Sequence, residues 1–156
     1  MSRNLFISKN IQVRESTIED LAFIIATETR EEYQAFINRW TCDEHHQAIS
    51  SSNMKHLIIE NTEGIAVGYI ILSGLDHPET IEITRIALNV TGKGYGTETT
   101  AMLCDYIFDR YKSRRIWLDV KEYNERARHV YKKIGFKEVA RNEMESLIIM
   151  ELPRNV

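Results

Sequence analysis

The chain has 156 residues, 43% hydrophobic and 28% charged, with two prolines and seven glycines; it fits one globular domain and excludes collagenous, low-complexity and largely disordered classes. Twenty basic against 23 acidic side chains give a net charge of -3 without any Lys/Arg block, which argues against nucleic acid and against a polybasic membrane anchor. Two cysteines outside any CxxC spacing, no apolar run long enough to span a membrane and no apolar leader in residues 1–10 predict a cytoplasmic domain without disulfides.

In chain order, residues 11–14 alternate apolar and polar as a first strand. Thr17 with Asp20 three residues on starts a helix. Tyr33, Phe36 and Trp40, spaced three and four apart, predict one face of a second helix, and Thr41 caps a third that runs to Ser50. Residues 56–60 and 65–75 are rich in Ile, Leu, Val and Tyr around the turn residues 61–64, which reads as a hairpin. Residues 81–88 form a further strand, with Ile81, Ile83, Arg85 and Ala87 expected on one face and Glu82, Thr84, Ile86 and Leu88 on the other.

Residues 97–112 carry the clearest helical period, Thr100, Leu103, Cys104, Ile107, Phe108 and Tyr111 sharing one stripe. A strand over 115–120 follows, and Asn124 caps a helix that sets Ala127, Val130, Tyr131 and Ile134 on one face before Gly135 ends it. Two strands, 136–140 and 147–152, close a mixed α/β order with no repeat and no linker.

Chemistry concentrates between the 81–88 strand and the 97–112 helix, in Asn89-Val90-Thr91-Gly92-Lys93-Gly94-Tyr95-Gly96-Thr97. Three glycines at alternate positions permit positive φ and close approach of a ligand, and a helix start presents unpaired N–H groups and the positive end of its dipole. An anion such as phosphate suits that environment. There is no GxxxxGK[ST], and Thr97 stands where GxGxxG needs its third glycine, so ATP and dinucleotide fingerprints both fail.

Gly92-Lys93-Gly94-Tyr95-Gly96 resembles the acyl-CoA pyrophosphate loop of the GNAT N-acyltransferases, whose pattern is Gln/Arg-x-x-Gly-x-Gly/Ala, with Thr91 departing at the Gln/Arg position. Asn124-x-x-Ala127-x-x-x-Tyr131-x-x-x-Gly135-Phe136 is similar to a second motif of that family, in the right order and about thirty residues on. The strands around Arg85-Ile86-Ala87-Leu88 and Ile116-Trp117-Leu118-Asp119-Val120 look most like the branch of ribosomal-protein N-terminal acetyltransferases.

The resemblance implies a GNAT-like fold over the whole chain: a mixed central sheet with two splayed central strands, flanked by helices. It further implies direct acetyl transfer from acetyl-CoA to a primary amine of a protein N-terminus, a polyamine or a small molecule. The expected cofactor contacts are Ile86, Ala87, Leu88, Gly92, Lys93, Gly94, Tyr95, Gly96, Thr97, Asn124, Ala127 and Tyr131. Asn124 is both a helix cap and, by resemblance, a neighbour of the pantetheine arm. Tyr131 is the expected general acid, a phenol able to donate a hydrogen bond or proton to the departing thiolate. Glu82 is the candidate base, since an amine of pKa near 10.4 must lose a proton before it attacks. Glu31, Glu32 and Trp40 are expected to wall a cationic acceptor, and homodimers are common among similar proteins.

Cys104 falls on the packed helix face and reads as core rather than nucleophile, and Cys42, His45 and His46, on an expected surface helix, make too incomplete a set for a metal. Two other readings stand beside the enzyme: a non-catalytic acyl-CoA sensor, and a nucleotide or S-adenosylmethionine enzyme using Asp119 at a strand end.

Overall fold

The computed structural model describes residues 4–155, so the first three residues of the segment read for a leader lie outside the described residues. The elements run β1 (Asn4–Ile7), β2 (Ile11–Glu15), α1 (Leu21–Glu28), α2 (Cys42–Ser50), β3 (Met54–Asn61), β4 (Ala66–Ser73), β5 (Thr80–Leu88), α3 (Tyr95–Tyr111), β6 (Arg115–Lys121), α4 (Glu125–Ile134), β7 (Lys137–Asn142) and β8 (Leu147–Pro153). The expected α/β class holds. β1 was not anticipated: four residues are too few for a periodic signal, and the strand is held by pairing with β2 and by Phe6 packing on Tyr106 at 5.3 Å between ring centroids.

The eight strands of the described residues join one sheet in the order β1-β2-β3-β4-β5-β6-β8-β7. Among the described residues only β5 and β6 are parallel neighbours, and their pairing covers just Thr80↔Arg115, Ile81↔Ile116 and Glu82↔Trp117. β6 stays paired with β8 over its full length, from Arg115↔Pro153 to Lys121↔Leu147, and so follows β8 while the rest of β5 follows β4. The two halves of the sheet therefore part beyond Glu82 and Trp117, leaving a gap edged by residues 83–88. Backbone groups on such an edge remain available to a ligand.

The larger core lies under α3 and α4, where Ile81, Ile83, Leu103, Cys104, Ile107, Ile116, Leu118 and Met150 are buried. A smaller core, Ile24, Ile58, Tyr69, Ile71 and Ala87, lies under α1 and α2. The expected faces of β5 need correction, because Ile71 pairs with Arg85 and Leu72 with Ile83, leaving Thr84 as the extra residue of a β-bulge. The bulge shifts the alternation by one. Ile86 and Leu88 consequently join Ile81 and Ile83 on the α3 side, while Arg85 and Ala87 share the α1 side with Glu82. Gly68 on β4 admits no side chain here, since a Cβ would collide with the Ala87 carbonyl and lie 2.8 Å from the Leu88 side chain.

The helix expected to carry Tyr33, Phe36 and Trp40 is also corrected. The chain makes a single 3-10 turn, Glu31–Tyr33, and then runs irregularly to the Thr41 cap of α2. Tertiary bonds displace the helical ones: the Ala35 carbonyl accepts from the Tyr123 hydroxyl at 2.9 Å, and the Asn38 carbonyl accepts from Arg85 at 2.5 Å. This segment, residues 29–41, is a strap across the α1 side. α3 starts two residues earlier than its apolar stripe suggested, at Tyr95, because Gly94 supplies the left-handed turn into it.

Candidate functional site

At one end of the gap the loop after β5 takes two left-handed turns, at Gly92 (φ 75) and Gly94 (φ 74), and Gly94 is the N-cap of α3. Neither position is crowded, so glycine is required by backbone conformation and not by space. Lys93 is exposed, and Tyr95, Gly96 and Thr97 form the first turn of a 17-residue helix, where N–H groups lack intrahelical partners. These backbone groups suit an anionic pyrophosphate. Glu98, in the first turn of α3, accepts from Ser8 at 2.6 Å and from Asn10 at 2.8 Å, tying the β1–β2 turn to the helix.

Along the gap, Asn89 N–H bonds the Val67 carbonyl of β4 at 2.8 Å. By antiparallel alternation Ala87 also addresses β4, which turns the backbone groups of Ile86 and Leu88 toward the gap. Ala87 therefore contributes its side chain to the smaller core and not its peptide groups to the edge. Leu88 is already engaged: its N–H donates to the Tyr33 hydroxyl at 2.7 Å and its carbonyl accepts from it at 2.5 Å.

On the far bank α4 is capped by Asn124, whose side-chain oxygen accepts from Ala127 N–H at 3.2 Å. Ala127 and Tyr131 pack half-buried against the larger core, Tyr131 beside Phe136 at 5.8 Å. Burial, with Cys104, Tyr33 and Asp119 nearby, pushes the Tyr131 phenol up to about 12. It stays protonated at any physiological pH. Cys104 is buried and its thiol likewise pushed up to about 12, mainly by burial, which removes it as a nucleophile.

Glu82 sits where the pairing of β5 with β6 ends, on the α1 side of the sheet. Glu82 thus lies on the strap face and not, as expected, on the face shared with Ile86. Burial first, then the neighbouring charge of Asp119, raises the Glu82 carboxyl above its usual range, and the Thr84 hydroxyl opposes that shift. Asp119 itself is exposed on β6. Tyr131 and Glu82 accordingly lie on opposite sides of the sheet.

The strap carries the expected acceptor residues. Glu31 and Glu32 are exposed, Glu32 paired with Arg30, and the Trp40 ring lies over the Arg85 guanidinium at 5.4 Å. Behind it stands a buried network that the sequence did not disclose. Glu28 Oε2 accepts from His45 Nε2 at 2.8 Å, from Arg85 at 2.8 Å and from the Tyr69 hydroxyl at 2.9 Å. His45 Nδ1 meets His56 Nε2 at 3.1 Å, and His56 Nδ1 meets the Ser16 hydroxyl at 2.8 Å.

His45 is therefore not on a surface helix face as expected; it is fully buried on Glu28, while Cys42 is exposed and separate from it. Burial holds His56 down at about 3, so its ring is neutral. Between about pH 6.5 and 3 the unfolded chain binds a proton that the native His56 refuses, and stability falls with acid across that window. The only sequence signals for this network were one glutamate at the end of an apolar helix and two histidines on separate elements.

A model of the family described as Acetyltransferase (GNAT) domain matches residues 10–137. Spermidine N(1)-acetyltransferase of Escherichia coli (strain K12) is 27% identical over 108 residues, 68% of this chain and 56% of the relative. The chain thus spans about half the length of the curated relatives it matches. Among solved structures, spermidine N-acetyltransferase from Vibrio cholerae in complex with CoA and spermine is 18% identical, covering 94% of this chain and 96% of its own at TM-score 0.81. A domain from Methanocaldococcus jannaschii DSM 2661 is 21% identical, covering 99% of this chain and 100% of its own at TM-score 0.79. These likenesses establish the fold, and the family model, matching most of the residues that form the gap and its loop, goes further: the chain belongs to the GNAT acetyltransferase family.

Proposed function

We propose that the chain is an acetyl-CoA-dependent N-acetyltransferase that transfers acetyl directly to a primary amine, with polyamines as the favoured acceptors. The observation that carries this reading is the early end of β5–β6 pairing at Glu82 and Trp117. It leaves one edge able to hold an extended amide-bearing arm, between a glycine loop suited to pyrophosphate and a protonated tyrosine. The polyamine class is favoured by the spermidine acetyltransferase relatives and by the exposed acidic pair Glu31 and Glu32 on the strap. A protein N-terminus presents the same nucleophile and belongs beside polyamines in any assay.

In this reading the peptide groups of Ile86 and Leu88 bind the arm, and the α3 N-terminus with Gly92 to Gly96 binds the phosphates. The thioester supplies the acetyl group. Glu82 accepts a proton from the incoming amine, directly or through water, and its raised carboxyl makes it a stronger base than a free glutamate. Tyr131 donates a hydrogen bond to the departing sulfur. Its phenol, near 12, holds its proton more tightly than a thiol of about 8.5, so stabilising the thiolate by hydrogen bonding is favoured over outright proton transfer.

Thermal unfolding with acetyl-CoA, CoA, ATP, NAD and S-adenosylmethionine in separate samples tests the cofactor. Acetyl-CoA or CoA at 100 times its Kd adds about 2.7 kcal/mol, enough for an upward shift of several degrees, and the other three leave Tm unchanged. A shift with ATP, NAD or S-adenosylmethionine alone overturns the assignment. The base makes a second prediction: kcat/KM rises with pH through the Glu82 ionisation, and Glu82→Gln removes that acidic limb while lowering the rate by about 10² or more. An unchanged limb in the variant takes Glu82 out of the mechanism.

A further inference from the structure

The hydroxyl of Tyr33 makes two bonds that a free strand edge normally reserves for another backbone. It accepts from Leu88 N–H at 2.7 Å and donates to Leu88 C=O at 2.5 Å. One amide of an extended ligand adding to β5 at this point would use those same two groups. No β6 residue competes for them, since pairing with β6 has ended six residues earlier, at Glu82.

Tyr33 is part of the strap, and the strap is fastened to both banks of the gap. On the β5 bank Arg85 donates to the Asn38 carbonyl at 2.5 Å and lies under the Trp40 ring. On the β6 bank Tyr123, just before α4, donates to the Ala35 carbonyl at 2.9 Å and its ring meets Phe36 at 5.8 Å. The strap therefore bridges the opening, with Tyr33 inserted at its β5 side. Burial raises the Tyr33 phenol, which keeps it in the protonated form that both bonds require.

We propose that Tyr33 is a displaceable plug: its hydroxyl occupies the Leu88 edge in the unliganded chain, and the amide-bearing arm of acyl-CoA takes that edge by displacing it and freeing the strap. This rests on the acyl-CoA reading above. Glu31 and Glu32 adjoin Tyr33 in the same 3-10 turn, so its release moves the acidic side chains of the acceptor side at the moment the acyl donor seats. Donor binding and reshaping of the acceptor wall become one event. The plug also lowers apparent affinity for the donor, because only the fraction of molecules with the edge uncovered can bind.

Two measurements test this. Titration calorimetry with acetyl-CoA compares the wild-type chain with Tyr33→Phe, which keeps the ring and deletes the hydroxyl; two hydrogen bonds of ordinary net worth predict binding about 5- to 30-fold tighter in the variant. Hydrogen exchange on the wild-type chain needs no variant: acetyl-CoA should increase deuterium uptake across residues 30–38 while protecting the loop at 91–97. Equal or weaker binding by Tyr33→Phe, or protection of 30–38 by acetyl-CoA, overturns the plug and leaves the cofactor reading intact. Absence of acetyl-CoA binding to the wild-type chain, with uptake unchanged at 91–97, overturns both.

Discussion

Tyr131→Phe lowers kcat by about 10²- to 10⁴-fold, with affinity for acetyl-CoA held within about threefold. The substitution removes one oxygen and keeps the ring, so the packing against Phe136 and the α3 core is retained. What is lost is a donor that stays protonated at neutral pH, held up to about 12 mainly by burial, which the proposed reading sets beside the departing sulfur. In the proposed reading ground-state binding rests on the Leu88 edge and the glycine loop, which the variant does not touch. Steady-state kinetics paired with calorimetry separate the two effects. A rate within threefold of wild type would place the leaving-group donor elsewhere.

Glu28→Ala destabilises the fold by about 3–5 kcal/mol, the cost of leaving a buried cation without its partner. Glu28 and Arg85 have side chains 1% and 9% exposed, and the same carboxylate oxygen also holds His45 and Tyr69. Truncation therefore strands three donors. At roughly 2–4 °C per kcal/mol for a domain of this size, Tm drops by about 6–20 °C. Arg85→Met in the Glu28→Ala background should cost much less than in the wild-type chain, since the unpaired charge has then been removed as well. Additive losses in this double-mutant cycle would show that the pair is not coupled.

The same network explains where the sequence was legible and where it was not. Elements with a sustained period were readable: the α3 stripe lies on the core as its spacing required, with Thr100, Leu103, Cys104 and Ile107 buried. The two motifs that carry the family resemblance lie on the loop at Gly92 to Gly96 and on α4, facing the gap from opposite banks. Local pattern failed where distant partners set the backbone. The 31–40 stretch has helix-forming residues at helical spacing, but Leu88, Arg85 and Tyr123 bind its side chains and carbonyls. The β5 bulge is invisible in the alternation of residues 81–88 and appears only in pairing with β4. It turns Ile86 to the α3 side and so separates it from Glu82, which stays on the strap side of the sheet. Burial of His45 was likewise decided by Glu28, seventeen positions away in sequence.

The roles of Tyr131 and Glu82, the donor and the acceptor class meet in one assay: release of CoA thiol by the purified chain from acetyl-CoA, with spermidine, with a short peptide bearing a free N-terminus, and without amine. The account predicts release that depends on amine, is fastest with spermidine, and falls by about 10² or more in Tyr131→Phe. Tight binding of acetyl-CoA with no amine-dependent release from either acceptor would contradict it and favour an acyl-CoA sensor built on the same fold.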